Sequence, residues 1–180
     1  IHKQEGRDEL FGLELLVVDD CSTDATQAIL FKNNINFQFT SKNTGGPNHG
    51  RNIALSMCTG NYICIADHDD VWFSNKIIQL LAVVDLAPII SSGYILSDKS
   101  LSKKVSRVKN SVDNAGYILY EKNATFISKL TKSKVGQQTY LGSIMFCSSL
   151  KHILFEEAYG MIDFDWVLKL FNNQKSVEVC

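Results

Sequence analysis

Apolar residues along this chain fall into short runs that end in polar turns, and the runs alternate with helical stretches. Leu13-Glu14-Leu15-Leu16-Val17-Val18 stops at Asp19-Asp20 and predicts a buried strand of a parallel sheet. Ser22-Thr23-Asp24 follows, and any of the three can cap the helix predicted from about Ala25 to Lys32, because their oxygens accept the free N–H groups of a first turn. Asn36–Thr40 alternates polar and apolar, as a strand near a sheet edge does. A turn-rich stretch, residues 43–50, leads into a helix predicted over Arg51–Met57 that stops near Gly60. Tyr62–Ala66 reads as the next strand and 74–84 as an amphipathic helix. Residues 97–134 are polar, rich in Lys and Ser and weakly periodic; they read as a long variable loop region with short elements. Order returns with a strand over 140–146, a helix over about 163–172 and a last strand from Ser176.

Strand–helix alternation of this kind implies right-handed crossovers. It predicts a single α/β, Rossmann-like domain spanning 1–180, with a mostly parallel central sheet flanked by helices. The chain's 180 residues, 45% hydrophobic and 21% charged, suffice for one core. Eighteen Lys and Arg against 19 Asp and Glu leave a net charge of −1, so no basic footprint for nucleic acid is present. No apolar stretch approaches the roughly 18 residues of a membrane span, and no signal peptide is read at the start. Cys21, Cys58, Cys64, Cys147 and Cys180 form no C-x-x-C pair, which argues against a disulfide framework or a zinc knuckle. Reduced thiols fit a cytoplasmic chain, with peripheral attachment to a membrane left open. Ile at position 1 reads as a chain that continues upstream.

Two predicted strands end in carboxylates, and ligands of open α/β sheets bind beyond such carboxyl ends. Asp67 and Asp69, two apart, project to the same side of an extended chain. Several carboxylates together are costly without a cation, and a hard divalent ion takes one or two of them plus substrate phosphates. Asp69 or Asp70 can equally cap the next helix, and His68 reads as a loop side chain. Asp20 is either a turn residue or an acceptor for a nucleobase N–H. Gly45-Gly46 permits positive φ or close backbone approach, or is an ordinary loop. Arg51 at a helix start opposes the helix dipole, which suggests pairing with an Asp or with a phosphate. Asp163 and Asp165 lie about 200° apart on a helix, so only one can face a cleft; both can also serve the dipole.

Four segments together resemble the family 2 glycosyltransferases, which have the GT-A fold of nucleotide-diphospho-sugar transferases. They are Leu16–Asp24 as a strand-then-D-D-x-S-x-D, Asn43–Gly46 with Gly50–Ala54 as N-x-G-G…A-R-N-x-G, Thr59–Ile63 with Ala66–Trp72 as T-G-x-Y-I…D-x-D-D-x-W, and Asp163–Leu170 as E-D-x-x-L-x-x-R-L. Their order and spacing agree over roughly 13–172. The resemblance implies an inverting, metal-dependent glycosyltransferase that moves a sugar from a nucleotide-diphosphate donor, a UDP-sugar favoured, to a hydroxyl of a glycan, glycolipid or glycoprotein. It implies that Asp20 binds the base, that Asp67 and Asp69 form a D-x-D element with Asp69 on Mn²⁺ or Mg²⁺, and that Asp163 is the general base with Asp165 in reserve. Arg51, Gly45 and Gly46 belong near the nucleotide. Three departures stand out: the family's first strand, with its Pro and aromatic nucleotide contacts, is expected upstream of residue 1; Ile162 replaces an acid; and Lys169 stands for Arg. A non-catalytic sugar-nucleotide- or carbohydrate-binding domain of the same fold is the competing reading. A haloacid-dehalogenase-type phosphatase fails because Cys21 stands where its second Asp is needed.

Overall fold

Ile89 and Ile90, neighbours in sequence, are both fully buried on opposite faces of one strand, so the sheet that contains them is covered on both sides. The computed structural model describes residues 1, 3–98, 101, 104–108 (backbone alone), 116–131, 137, 139–159 and 163–179. Along the chain run β1 (Val17–Asp19), α1 (Thr26–Lys32), β2 (Phe37–Phe39), α2 (Pro47–Met57), β3 (Tyr62–Cys64) and α3 (Lys76–Leu81). Next come β4 (Ile89–Ser92), β5 (Tyr94–Ser97), β6 (Lys104–Val108), β7 (Tyr117–Tyr120), α4 (Ala124–Leu130), β8 (Ile144–Cys147), α5 (Phe164–Phe171) and β9 (Ser176–Val179).

The fold is α/β, as the alternation predicts, but the sheet is mixed rather than mostly parallel. Five strands lie in the order β3-β8-β4-β9-β7. β4 and β9 are parallel, whereas β3 with β8, β4 with β8, and β7 with β9 are antiparallel. β1 and β2 form a separate parallel pair, Val17 opposite Phe37, and β5 and β6 an antiparallel hairpin. A strand buried on both faces has the same apolar pattern in either direction, so the sequence conceals that β8 runs against its neighbours.

Ile144 and Phe146 of β8 pack under Trp166, Val167, Leu170 and Phe171 of α5, while Met145 between them packs with Leu80 of α3 and Val177 of β9. Trp166 lies between two rings, edge-on to Phe146 and stacked on Phe155 at 4.4 Å between centroids. The stretch 97–134 is more ordered than its composition suggests. β7 closes one edge of the main sheet and α4 packs on α5. Residues 99, 100, 102, 103, 109–115 and 132–134 of that stretch lie outside the described residues.

Two helix boundaries move. α2 begins at Pro47 rather than Arg51, since proline's fixed φ and missing N–H suit a first helical position. Gly50 then lets α2 press on β1: a Cβ there would lie 3.3 Å from Val18 Cγ1. α3 is shorter than predicted, giving way to turns after Leu81.

Candidate active site

A cleft of about 1230 Å³ opens between β1 and β3, its walls combining Val18, Leu55 and Ile63 with Asp20, Arg51 and Asp67. Among the described residues β1 pairs only with β2, and β3 only with β8. Asp20 follows β1 directly. Its Oδ1 accepts from Thr40 Oγ1 at 2.7 Å and its Oδ2 from Thr44 Oγ1 at 2.8 Å, with the Thr44 N–H shared between the two oxygens. Burial alone would raise this carboxyl, but the bonds from Thr40 and Thr44 outweigh it and hold it below the ordinary value. Each oxygen of Asp20 thus receives two contacts, from three donors. Asp19 beside it is buried and tied to Ser22 Oγ and to Gln27 Nε2 at 2.7 Å, so it secures the turn.

Gly45 has φ +87° and donates its N–H to Asn43 Oδ1 at 2.9 Å, a conformation that an L side chain resists. Gly46 is extended and precedes Pro47, so its conformation makes no such demand. Both glycines end the loop that carries Thr44 onto Asp20.

Arg51 lies one turn inside α2, so the dipole argument for its special role lapses, yet its pairing is specific. Nη2 lies 2.7 Å from Asp67 Oδ1 and Nη1 donates to Asn48 Oδ1 at 3.2 Å. The guanidinium also sits 5.2 Å from the centre of the Phe155 ring. The Arg51 side chain is only 11% exposed, which sets this pair apart from a surface salt bridge.

Asp67 and Asp69 do not share one side of an extended strand, because β3 ends at Cys64 and the chain turns, with the Asp70 N–H on the Asp67 carbonyl at 3.2 Å. The turn faces its acids apart. Asp67 meets Arg51. Asp70 accepts from Tyr140 Oη at 2.6 Å. Asp69 and His68 are exposed, and Asp69 has no hydrogen bond or ion pair among the described residues. Lys76 Nζ donates to the Gly142 carbonyl and lies 4.5 Å over the Trp72 ring, fixing the far side of the turn. A Cβ on Gly142 would collide with Asp70 and Tyr140. Burial, then the bond to Asp70, pushes the Tyr140 hydroxyl far above its usual range.

Asp163 occupies the N-cap position of α5 without a side-chain capping bond, and its carbonyl accepts the Val167 N–H. Burial raises its carboxyl, and Arg51 opposes that, while Asp67 and Asp165 add to it. A residue of α5 thus feels the charges of α2 and of the acidic turn. Asp165 points elsewhere, with Lys169 Nζ 3.1 Å away on its own helix. Met161 and Ile162 lie outside the described residues.

The sequence model of glycosyl transferase family 2 matches residues 3–156. The chain belongs to glycosyl transferase family 2. Its relatives in that family are larger proteins. The poly(ribitol-phosphate) β-N-acetylglucosaminyltransferase TarS of Staphylococcus aureus is 36% identical over 76 residues, 40% of this chain and 13% of TarS. The UDP-Glc:α-D-GlcNAc-diphosphoundecaprenol β-1,3-glucosyltransferase WfgD of Escherichia coli is 36% identical over 66 residues, 36% of this chain and 26% of WfgD. The crystal structure of TarS residues 1–349 with UDP-GlcNAc superposes with a TM-score of 0.73 at 22% identity, covering 98% of this chain and 49% of that one. The same segment with UDP gives 0.68 at 20% identity, covering 98% and 51%. These likenesses establish the GT-A fold, and this glycosyl transferase family 2 chain spans about half the length of that solved segment.

For a divalent cation the chain offers carboxylates, the ligand type that a hard ion takes. Among the described residues no three His, Cys, Asp or Glu side chains gather at one point. The open oxygen of Asp67 and the exposed Asp69 could supply the two that a hard ion takes alongside diphosphate and water. Several partners escaped the sequence reading. Thr40 and Thr44 flank the glycine loop and were legible as possible donors. Asn48, Tyr140 and Phe155 gave no signal, the last two being far along the chain from Asp70 and Arg51, which they contact. No helix among the described residues is long and apolar enough to cross a membrane.

Proposed function

We propose that the chain carries the donor site and base of an inverting glycosyltransferase that moves a sugar from a UDP-sugar to a hydroxyl of a glycan or glycolipid. One observation carries the reading: Arg51 joins Asp67 at 2.7 Å and also acts on the half-buried Asp163, so that donor-side and acceptor-side groups share one electrostatic field. The solved TarS segment binds UDP and UDP-GlcNAc, and WfgD acts on a lipid-linked GlcNAc, which supports the donor and acceptor classes.

In this reading Asp20 accepts the base N–H, and the Gly45-Gly46 loop shapes the nucleotide pocket. Asp69 and Asp67 hold Mn²⁺ or Mg²⁺, which when bound neutralises charge gathering on the leaving diphosphate. Asp163 takes the proton of the acceptor hydroxyl. The acceptor oxygen bonds to the anomeric carbon as the bond from that carbon to the diphosphate breaks, and UDP departs with the bonding pair. One displacement inverts the configuration.

Labelled UDP-sugars with Mn²⁺ and a panel of glycan acceptors test this. Transfer that disappears in Asp163→Asn is expected. Absence of transfer and of donor hydrolysis, or full activity in Asp163→Asn, would sink the enzyme reading. Calorimetry with UDP, GDP and dTDP is expected to show binding of UDP that strengthens with Mn²⁺; equal, metal-independent binding of all three would contradict the role given to Asp69.

A further inference from the structure

Asn52 follows Arg51 in α2, and its side chain grips the backbone of a residue about a hundred positions away. Its Oδ1 accepts the Phe155 N–H at 2.9 Å and its Nδ2 donates to the Phe155 carbonyl at 3.0 Å. The same Nδ2 reaches Glu157 Oε1 at 2.9 Å, and His49 Nδ1 lies 2.9 Å from the other oxygen of that carboxylate. Asn48 Nδ2 adds a bond to the Glu156 carbonyl at 3.0 Å. An amide that satisfies both main-chain groups of one residue fixes that residue as a β-ladder would.

The residue so fixed is a buried aromatic with a different neighbour on each side. The Arg51 guanidinium lies 5.2 Å from the Phe155 ring centre. Trp166 of α5 stacks on the ring, 8° from parallel, and anchors its own indole N–H on the Ile153 carbonyl at 2.7 Å. Asp163 begins the helix that Trp166 belongs to. A guanidinium against an aromatic face keeps its N–H groups free in its own plane, and here one of them points at Asp67.

We infer that Phe155, clamped by Asn52, is a positioning residue whose ring sets the Arg51–Asp67 pair and the start of α5 at one fixed spacing. Both sides of the reaction are then registered against a single ring. The inference rests on the proposed sugar transfer for its kinetic consequence, though not for its structural one.

Phe155→Leu keeps an apolar side chain but removes the flat face, and Asn52→Ala keeps the ring but releases its backbone. In ¹⁵N–¹H spectra of arginine side chains the Arg51 signal, identified by its loss in Arg51→Lys, is expected to stand apart from the free guanidinium signals. It is expected to join them in both variants. In UDP-sugar transfer each variant should lower kcat per folded molecule by about ten- to a hundredfold, as misplacement of reacting groups does. The loss in Phe155→Leu and that in Arg51→Lys should not multiply in the double variant, because one acts through the other. An Arg51 signal that stays in place in both variants overturns the inference, as does a fully multiplicative double variant. Should the unaltered protein transfer no sugar, the proposed function falls and the arginine spectra alone decide the inference. If Phe155→Leu does not fold, Asn52→Ala carries both readouts.

Discussion

Burial and Arg51 pull the carboxyl of Asp163 in opposite directions, and burial prevails. The folded protein therefore holds the Asp163 proton more tightly than the unfolded chain does. Its contribution to stability is full below the ordinary value of 3.8 and is lost as pH rises through the folded value. At neutral pH the ionised carboxylate is thus a net cost that the fold bears. A base must be ionised, so the acid limb of kcat is expected at an apparent pKa above 3.8. Asp163→Asn should lower kcat by about 10²- to 10⁴-fold while melting at a higher temperature than the unaltered protein at pH 7. A lower melting temperature would show that the charge is compensated in the fold. Asp20 has the opposite balance. Its lowered carboxyl stabilises the fold above the unfolded value, and that contribution is lost as pH falls through the folded one.

The elements that carry these residues were legible to different degrees, for reasons that lie in their geometry. Apolar runs locate β1, β3 and β8, and the last strand is read from Ser176, whereas β4 is not among the predicted strands. Strand direction has no such signature, which is why β8 came as an antiparallel insertion. The loop before α2 looked like a turn throughout, since Gly45-Gly46-Pro47 are all turn residues, yet Pro47 opens a helix. The D-x-D-D segment was found by its residue types, whereas its turn depends on Tyr140, seventy positions away, holding Asp70. Gly45 is the point where the loop makes a strict conformational demand. With φ at +87° and open space around a Cβ, Gly45→Ala is opposed by backbone strain rather than collision. The substitution is expected to cost about 1 kcal/mol in urea unfolding and to weaken UDP binding as Thr44 leaves Asp20. Unchanged affinity would detach the loop from the nucleotide.

At the scale of the whole molecule the site is assembled from elements far apart in sequence. α2 supplies Arg51, the turn after β3 supplies the acids, and the N-cap of α5, a helix that shares one core cluster with Leu55 of α2, supplies Asp163. The two core clusters meet in β8, whose residues face α5 and α3 alternately. Lys151 also reaches from beyond β8 to the Cys58 carbonyl at the end of α2, at 3.1 Å. The bond from Tyr140 to Asp70 therefore joins the acidic turn to the segment that runs directly into the central antiparallel strand. A ligand that quiets the turn should quiet the strand as well, since local opening of one requires release of the other. Amide hydrogens of Ile144–Cys147 are expected to exchange with deuterium more slowly once UDP and Mn²⁺ are added, and Tyr140→Phe should abolish that slowing while leaving the strand's unliganded exchange nearly as it was. The hydroxyl of Tyr140 would then be the wire by which the middle of the protein registers what is held at its edge.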